Sequence, residues 1–576
     1  MTDTAVPTQV LGTTRARSFE PGTNLRGTVP GAAWTYLLPS LDVGAVLCVG
    51  VPTSAALRRL ADVATRVDIL APPGFRAPPE FRTPPMSPTG HAADIRSVDA
   101  RTAFEAGPHD LAWVVSRDRA GAEAAPAIAR AGLVYEERSG VSSGTTEDGN
   151  AAGTLDLRLS PTRGEVRTAV PLSDERTIDF FGRRGLEESW LARSLAAHGV
   201  PGARRLAALP IVRAGSEAGR HRFGRLHGPA RLDLHEAPAY LRRVALGGGV
   251  DLAGHRWGLA AGGDYPTQKV VFYLFPPQAP RSELRHVPSI VVKLSQDEAS
   301  GALLGTAYRG LRRLAPTEFG LAGRTPVALF MGVEHGRAVV GERAIDGRPF
   351  TSLATPTPDS NLALDVVDGL IDLARETQKP ADGTSAAEAV RDLRERFNRT
   401  YAASPDCRRI LDASVDAIAS TRSVVPLVFS HGDPGPHNLL VTSSGRVTLV
   451  DWENADPHGL PLWDLFAFLR GFTTWASRRT RPGKRVAAIR RTFVDGSPFT
   501  PLVAGSVERY VEAMSLDPAL VEPLFWTCWM TLAVREAPRL TRDRLESGFQ
   551  LRALEMLAAN AAAPVLRWLL RPESVR

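Results

Sequence analysis

Val428-Phe429-Ser430-His431-Gly432-Asp433-Pro434-Gly435-Pro436-His437-Asn438-Leu439-Leu440 is followed, across Ser443-Ser444-Gly445-Arg446, by Val447-Thr448-Leu449-Val450-Asp451-Trp452-Glu453. Apolar runs on both sides of the Ser-Ser-Gly-Arg segment predict a tight strand hairpin. Pro434, Gly435 and Pro436 break any helix and keep the preceding loop irregular, so Asp433 and Asn438 can project the same way. Asp and Asn are common in Pro/Gly loops for conformational reasons alone, so each residue by itself says little. The joint order carries the information: a carboxylate, an amide five positions on, a hairpin, then a second carboxylate. Phosphoryl transfer asks for this combination, because it needs an aligned nucleophile and cations against the phosphate oxygens. A carboxylate and an amide oxygen are hard ligands suited to Mg²⁺.

These residues resemble the aminoglycoside phosphotransferase and choline kinase-like family. Its catalytic loop reads H-G-D followed by N-L-L, matched by His431-Gly432-Asp433 and Asn438-Leu439-Leu440, and its metal aspartate sits in a D-W-E-like motif, matched by Asp451-Trp452-Glu453. A downstream aspartate in a Y/W-D-L segment is matched by Leu462-Trp463-Asp464-Leu465. The resemblance implies Asp433 as catalytic base, Asn438 and Asp451 as Mg²⁺ ligands, and Asp464 as a structural brace for the loop. His431 and His437 read as loop-packing residues, since neither has a Cys or His partner at metal spacing. Val291-Val292-Lys293-Leu294 is similar to the strand whose lysine pairs the α- and β-phosphates of ATP in such kinases. Ala260-Ala261-Gly262-Gly263-Asp264 fits the nucleotide-covering loop, because glycine lets the backbone approach phosphate closely; Gly247-Gly248-Gly249 competes for that role. Val340-Gly341-Glu342-Arg343-Ala344 resembles the hinge whose backbone binds adenine, and Glu298 is the nearest candidate for the helix glutamate that pairs with the lysine. The activity implied is Mg·ATP-dependent phosphorylation of a hydroxyl on a small aminoglycoside-, choline- or sugar-like acceptor.

Outward from this stretch, strand signals dominate between Trp257 and Glu342, with a helix near Leu303 to Leu314, and helical periodicity dominates from Leu362 onward. A strand-rich lobe before a helical lobe is a two-lobe kinase-like layout. Towards the N-terminus, Ala45–Val49, Val67–Leu70, Asp110–Val115 and Leu133–Glu137 are strand candidates interleaved with helical spacing. The expected fold is therefore an α/β Rossmann-like N-terminal domain followed by an α+β two-lobe protein-kinase-like domain. Its divisions are a flexible tail (1–28), the Rossmann-like domain (29–225), the kinase-like N-lobe (226–345) and the helical C-lobe (346–576), with a Gly/Arg/His-rich linker at 214–230.

The opening strand–helix–strand, Val46 to Leu70, weakly resembles a class I methyltransferase. Only Gly50 remains of the glycine-rich turn that would cradle the cofactor. The domain thus reads as a degenerate one that shapes the acceptor site or mediates assembly. A catalytically weak nucleotide-binding scaffold and a bifunctional protein with active methylation are the two alternative functions.

Composition narrows the partners. The 576 residues carry a net charge of +7, yet no zinc-finger spacing and no basic helix interleaved with aromatics, so nucleic acid is not an expected partner. Three widely spaced cysteines and no run of about 18 apolar residues suit a cytoplasmic protein without stable membrane insertion. From Arg470 to Arg491 there are eight basic residues and no acidic one, which reads either as a solvated insertion or as a patch for an anionic acceptor.

Overall fold

The computed structural model describes residues 35–50, 52, 57, 60–61, 63–70, 93–115, 124–139, 153–160, 168–174, 176–181, 222–229, 232–261, 269–277, 287–379, 383–480, 484–540 and 542–571. The expected tail, 1–28, and the loop holding Gly262 and Gly263 lie outside these residues.

The N-terminal strands are Gly44–Val49 (β1), Ala64–Leu70 (β2), Asp94–Ser97 (β3), Leu111–Val114 (β4) and Leu133–Ser139 (β5), of which β1 and β4 are apolar runs and β3, Asp-Ile-Arg-Ser, is mostly polar. They lie parallel in the order β3-β2-β1-β4-β5, the arrangement of a doubly wound half-sheet. Helices Ala100–Glu105 (α1) and Ala125–Ile128 (α2) bury Ala103 and Ala127 in one cluster with Leu47, Val49, Leu70 and Ala112.

The sheet does not end there. Thr154–Ser160 (β6), Thr168–Pro171 (β7) and Arg222–His227 (β8) continue it antiparallel, in the order β5-β8-β6-β7. Strand β7 then pairs with Arg256–Ala260 (β9) through Thr168↔Ala260 and Ala169↔Leu259. Beyond β9 come Lys269–Phe275 (β10), Ile290–Ser295 (β11), Ala328–Glu334 (β12) and Arg337–Arg343 (β13), antiparallel in the order β9-β10-β11-β13-β12. The result is one mixed 13-stranded sheet.

This corrects the expectation of a separate Rossmann-like domain. The boundary at 225/226 falls inside β8, at the middle of the expected 214–230 linker. One apolar cluster contains Val46, Leu157, Leu226, Trp257, Phe272 and Val339, and so runs through both regions. The narrow β7–β9 join is reinforced by Phe180 and Phe181, whose rings lie 5.1 and 5.6 Å from Tyr273. Gly258 makes room for this, since a Cβ there would meet the Phe181 ring and lie 2.8 Å from the Thr177 methyl.

The C-terminal region is helical. Glu298–Leu314 (α3) lies against the sheet, with Asp297 accepting from Ser300 N at 2.7 Å to cap it. Asn361–Thr377 (α4), Gly383–Thr400 (α5), Pro405–Ser420 (α6), Trp463–Thr480 (α7), Thr500–Met514 (α8), Val521–Glu536 (α9) and Phe549–Ala558 (α10) surround a second core. Helix α9 is its axis: Pro523 through Ala533 are all buried, so its sequence reads apolar on every side. Gly347–Pro349 (β14), Leu439–Thr442 (β16) and Val447–Leu449 (β17) form a small sheet, and Val428–Ser430 (β15) pairs with Asp456–Gly459 (β18). Among the described residues no helix is long and apolar enough to cross a membrane.

Candidate active site

The expected hairpin is the β16–β17 turn, and the loop between β15 and β16 carries Asp433 and Asn438. The loop is held from beneath. Asp464, in the first turn of α7, accepts from Ser430 Oγ at 2.8 Å, His431 N at 2.5 Å and Gly432 N at 2.9 Å. A carboxylate accepting three donors fixes the backbone far more tightly than a Pro/Gly loop would hold itself. Gly432 has φ +82°, and a Cβ there would collide with the Asn454 carbonyl, so no other residue fits. From the opposite side Arg535, at the end of α9, donates to the Gly432 carbonyl.

His431 is fully buried and locks the loop to the hairpin. Its Nε2 lies 3.0 Å from Val450 O, a pure acceptor, so Nε2 carries the proton and Nδ1 accepts from Asp433 N at 3.2 Å. Its ring lies 4.4 Å from that of Trp452. Burial pushes the His431 pKa below its ordinary value of 6.5 despite the nearby Asp464 and Asp433 carboxylates. The imidazole is therefore neutral when folded, whereas the unfolded chain binds a proton below 6.5. Its stabilising contribution is present above that pH and is lost as pH falls towards the lower folded value. Urea titrations at about pH 7.5 and about pH 5.5 should show this as up to about 1.4 kcal/mol per pH unit. The slope should be reduced in His431→Asn; an unchanged slope in that variant would place the proton uptake elsewhere.

Asn438 Nδ2 donates to Asp433 O at 2.9 Å and to Asp433 Oδ2 at 3.3 Å. Its Oδ1, the hard donor, has no partner among the described residues. Asp451 follows β17 in the left-handed region, at φ 72° and ψ 58°, a conformation Asp tolerates better than most residues. Its Oδ1 meets two ammonium groups: Lys269 in direct contact and Lys293 at 3.3 Å. Lys269 also bonds Glu453. Burial raises the Asp451 pKa, but Lys269 and Lys293 outweigh it and hold the carboxyl below its ordinary range.

Lys293, on β11, is 5% exposed and lies 2.7 Å from Oε1 of Glu342, itself 4% exposed. Burial opposes the Lys293 charge, yet Glu342 and Asp451 hold its pKa above the ordinary lysine value. One expectation is corrected here. Glu298 sits exposed in the first turn of α3 and makes no contact with Lys293, and α3 holds no other acidic residue. The side chain of Glu342, in the segment expected to bind adenine through its backbone, is the partner of Lys293, aligned by the pairs Val291↔Glu342 and Lys293↔Val340. The Ala344 N–H, expected to face adenine, donates instead to Ser289 O at 2.9 Å.

Sequence reasoning did not single out Lys269 or Arg535, and it named Glu453 only within its motif and Arg470 only within a basic segment. For Lys269 a signal existed: the chain has only four lysines, at 269, 293, 379 and 484, against 65 arginines. Two of those four converge on one carboxylate, where a compact ammonium serves differently from a guanidinium.

No self-sufficient cage of three His, Cys, Asp or Glu residues occurs among the described residues. The donors present, the Asp451 carboxylate and the Asn438 amide oxygen, fit Mg²⁺, which commonly takes one or two carboxylates and completes its shell with phosphates and water.

The phosphotransferase enzyme family model matches residues 211–496. The match starts before the expected kinase-like span, 226–576, and ends before it does. Solved structures that resemble the chain include a choline/ethanolamine kinase family protein from Mesorhizobium loti, 19% identical over 53% of this chain and 95% of that one, with a TM-score of 0.26. An aminoglycoside phosphotransferase from Streptomyces rimosus, in complex with ADP and streptomycin, is 15% identical over 47% of this chain and 94% of that one, with a TM-score of 0.28. A fructosamine-3-kinase-like protein from Haemophilus somnus is 12% identical over 55% and 95% of the two chains, with a TM-score of 0.30. Among curated proteins none matches. Over residues 211–496, just under half of its length, the chain is similar to that phosphotransferase enzyme family. Nothing in these findings supports a methyltransferase at its N-terminus.

Proposed function

We propose that the chain is a cytoplasmic small-molecule kinase that transfers the γ-phosphoryl group of ATP to a hydroxyl. The observation that carries this is the braced loop: Asp464 and His431 fix the backbone on which Asp433 and Asn438 stand, with Asp451 across the hairpin. Asp433 takes the hydroxyl proton, the acceptor oxygen bonds the γ-phosphorus, and the bond to the β–γ bridging oxygen breaks as ADP leaves with the electron pair. Asn438 Oδ1 and Asp451 would hold Mg²⁺, which would supply charge against the phosphate oxygens. Lys293, anchored by Glu342, presents its ammonium to the phosphates. Lys269 balances the charges of Asp451 and Glu453. The N-terminal strands, sharing a sheet and a core with the N-lobe, act as its rigid extension.

A kinase-like site whose lysine lacked a carboxylate partner would favour the scaffold alternative, and here Glu342 supplies Lys293 with one from a strand. Calorimetric titration with a non-hydrolysable ATP analogue tests the proposal. Binding should require Mg²⁺ and weaken about tenfold or more, ~1.4 kcal/mol, in Asp451→Asn. Metal-independent binding of equal strength in both proteins would refute the assignment of Asp451.

A further inference from the structure

The eight basic residues of 470–491 do not act as one patch. Arg490 pairs with Asp495 at 3.2 Å, Arg479 lies over the Trp475 ring at 5.3 Å, and Arg485 over that of Phe549 at 5.6 Å. Arg470 differs. It precedes Gly471, where α7 touches the catalytic loop so closely that a Cβ would lie 2.9 Å from Pro436. Its guanidinium lies 5.9 Å from the Trp529 ring of the buried helix α9, and its Nη1 reaches Gln550 only at 3.5 Å. Its Nε is buried without a partner. Burial works against its charge, and so does Arg485, while Asp433 and Glu536 support it.

Arg535 reaches the same loop two turns along α9 from Trp529, and it spends one of its five donors on Gly432 O. Glu536, the other carboxylate that supports the charge of Arg470, is engaged by Gln550 N at 2.8 Å. A half-buried guanidinium whose Nε–H is buried and unpartnered is costly, and the helix that carries it packs on the loop of the residue assigned to the acceptor hydroxyl. An acceptor whose recognition group were an ammonium would meet arginines here. An oxyanion would complete Arg470 and meet the forked donors that suit it.

Building on the phosphotransferase reading, we propose that Arg470 and Arg535 recognise an oxyanion on the acceptor, so that the hydroxyl compound phosphorylated here is anionic, carrying a carboxylate or a phosphate. The test uses the full chain saturated with Mg²⁺ and a non-hydrolysable ATP analogue, titrated with inorganic phosphate. Binding should weaken about tenfold or more in Arg470→Gln and be partly retained in Arg470→Lys. A second arm follows ADP release from Mg·ATP by the wild-type chain with glucose 6-phosphate, glucuronate or glucosamine, which needs no variant to fold. Stimulation confined to glucose 6-phosphate would assign the oxyanion as a phosphate, and stimulation confined to glucuronate as a carboxylate. Stimulation by glucosamine, or phosphate binding that is absent or indifferent to Arg470, would overturn the inference while leaving the nucleotide site intact. Phosphate binding without any nucleotide binding would overturn the kinase reading, and the acceptor assignment with it.

Discussion

Asp433→Asn should lower kcat by about 10²- to 10⁴-fold, the usual range for loss of a positioned general base, with Mg·nucleotide affinity within about twofold of wild type. The substitution is close to isosteric, and the loop does not depend on the carboxylate. Asp464, His431 and Arg535 hold its backbone, and the firmest bond from Asn438 goes to the Asp433 carbonyl. What is lost is the charge that orients the acceptor hydroxyl and takes its proton. Single-turnover kinetics beside a nucleotide titration separate the two quantities. A parallel collapse of nucleotide binding would mean that Asp433 serves the metal, and the division of labour with Asp451 would fall.

This site was legible in sequence because it is local. Asp433, Asn438 and Asp451 lie within one loop and one hairpin, so their order could be read directly, whereas Asp464, beyond the hairpin, came only from the resemblance to a Y/W-D-L segment. The partner of Lys293 was not legible. Glu342 is 49 residues away, and the contact exists only because the β11–β13 register places Val291 opposite Glu342. Sequence proximity pointed to Glu298 instead, which caps off in the exposed first turn of α3.

The single sheet was hidden for a related reason. Strand β8, Arg-Phe-Gly-Arg-Leu-His, has the composition of a linker, yet Arg225 is neutralised by Asp156 on β6 at 2.5 Å and Gly224 lets the Tyr135 ring lie close. A polar strand with cross-strand partners cannot be told from a polar loop without knowing what lies beside it. Strands β10, β11 and β12, whose own side chains are mostly apolar, belong to the stretch between Trp257 and Glu342 where strand signals dominate.

Lys293→Met should destabilise the fold by about 3–5 kcal/mol, because it leaves the Glu342 charge buried without its counter-ion. Asp451 suffers less, since Lys269 still contacts it. The double variant Lys293→Met/Glu342→Leu should recover most of that loss, as replacing both members of a buried pair by apolar groups is often neutral or stabilising. The same double variant should remain unable to turn over, because the phosphates have lost their ammonium. Stability and activity would then part company in a single protein. Urea unfolding of the wild type, both single variants and the double variant yields the coupling energy directly. A strand-to-strand pair of this kind also makes a mechanical prediction. In a site that relies on a helix glutamate, displacing the helix disarms the lysine, whereas Glu342 is fixed to Lys293 by the register of adjacent strands. A coupling energy near zero would show that Glu342 does not anchor Lys293, and the missing helix glutamate would again count against catalysis.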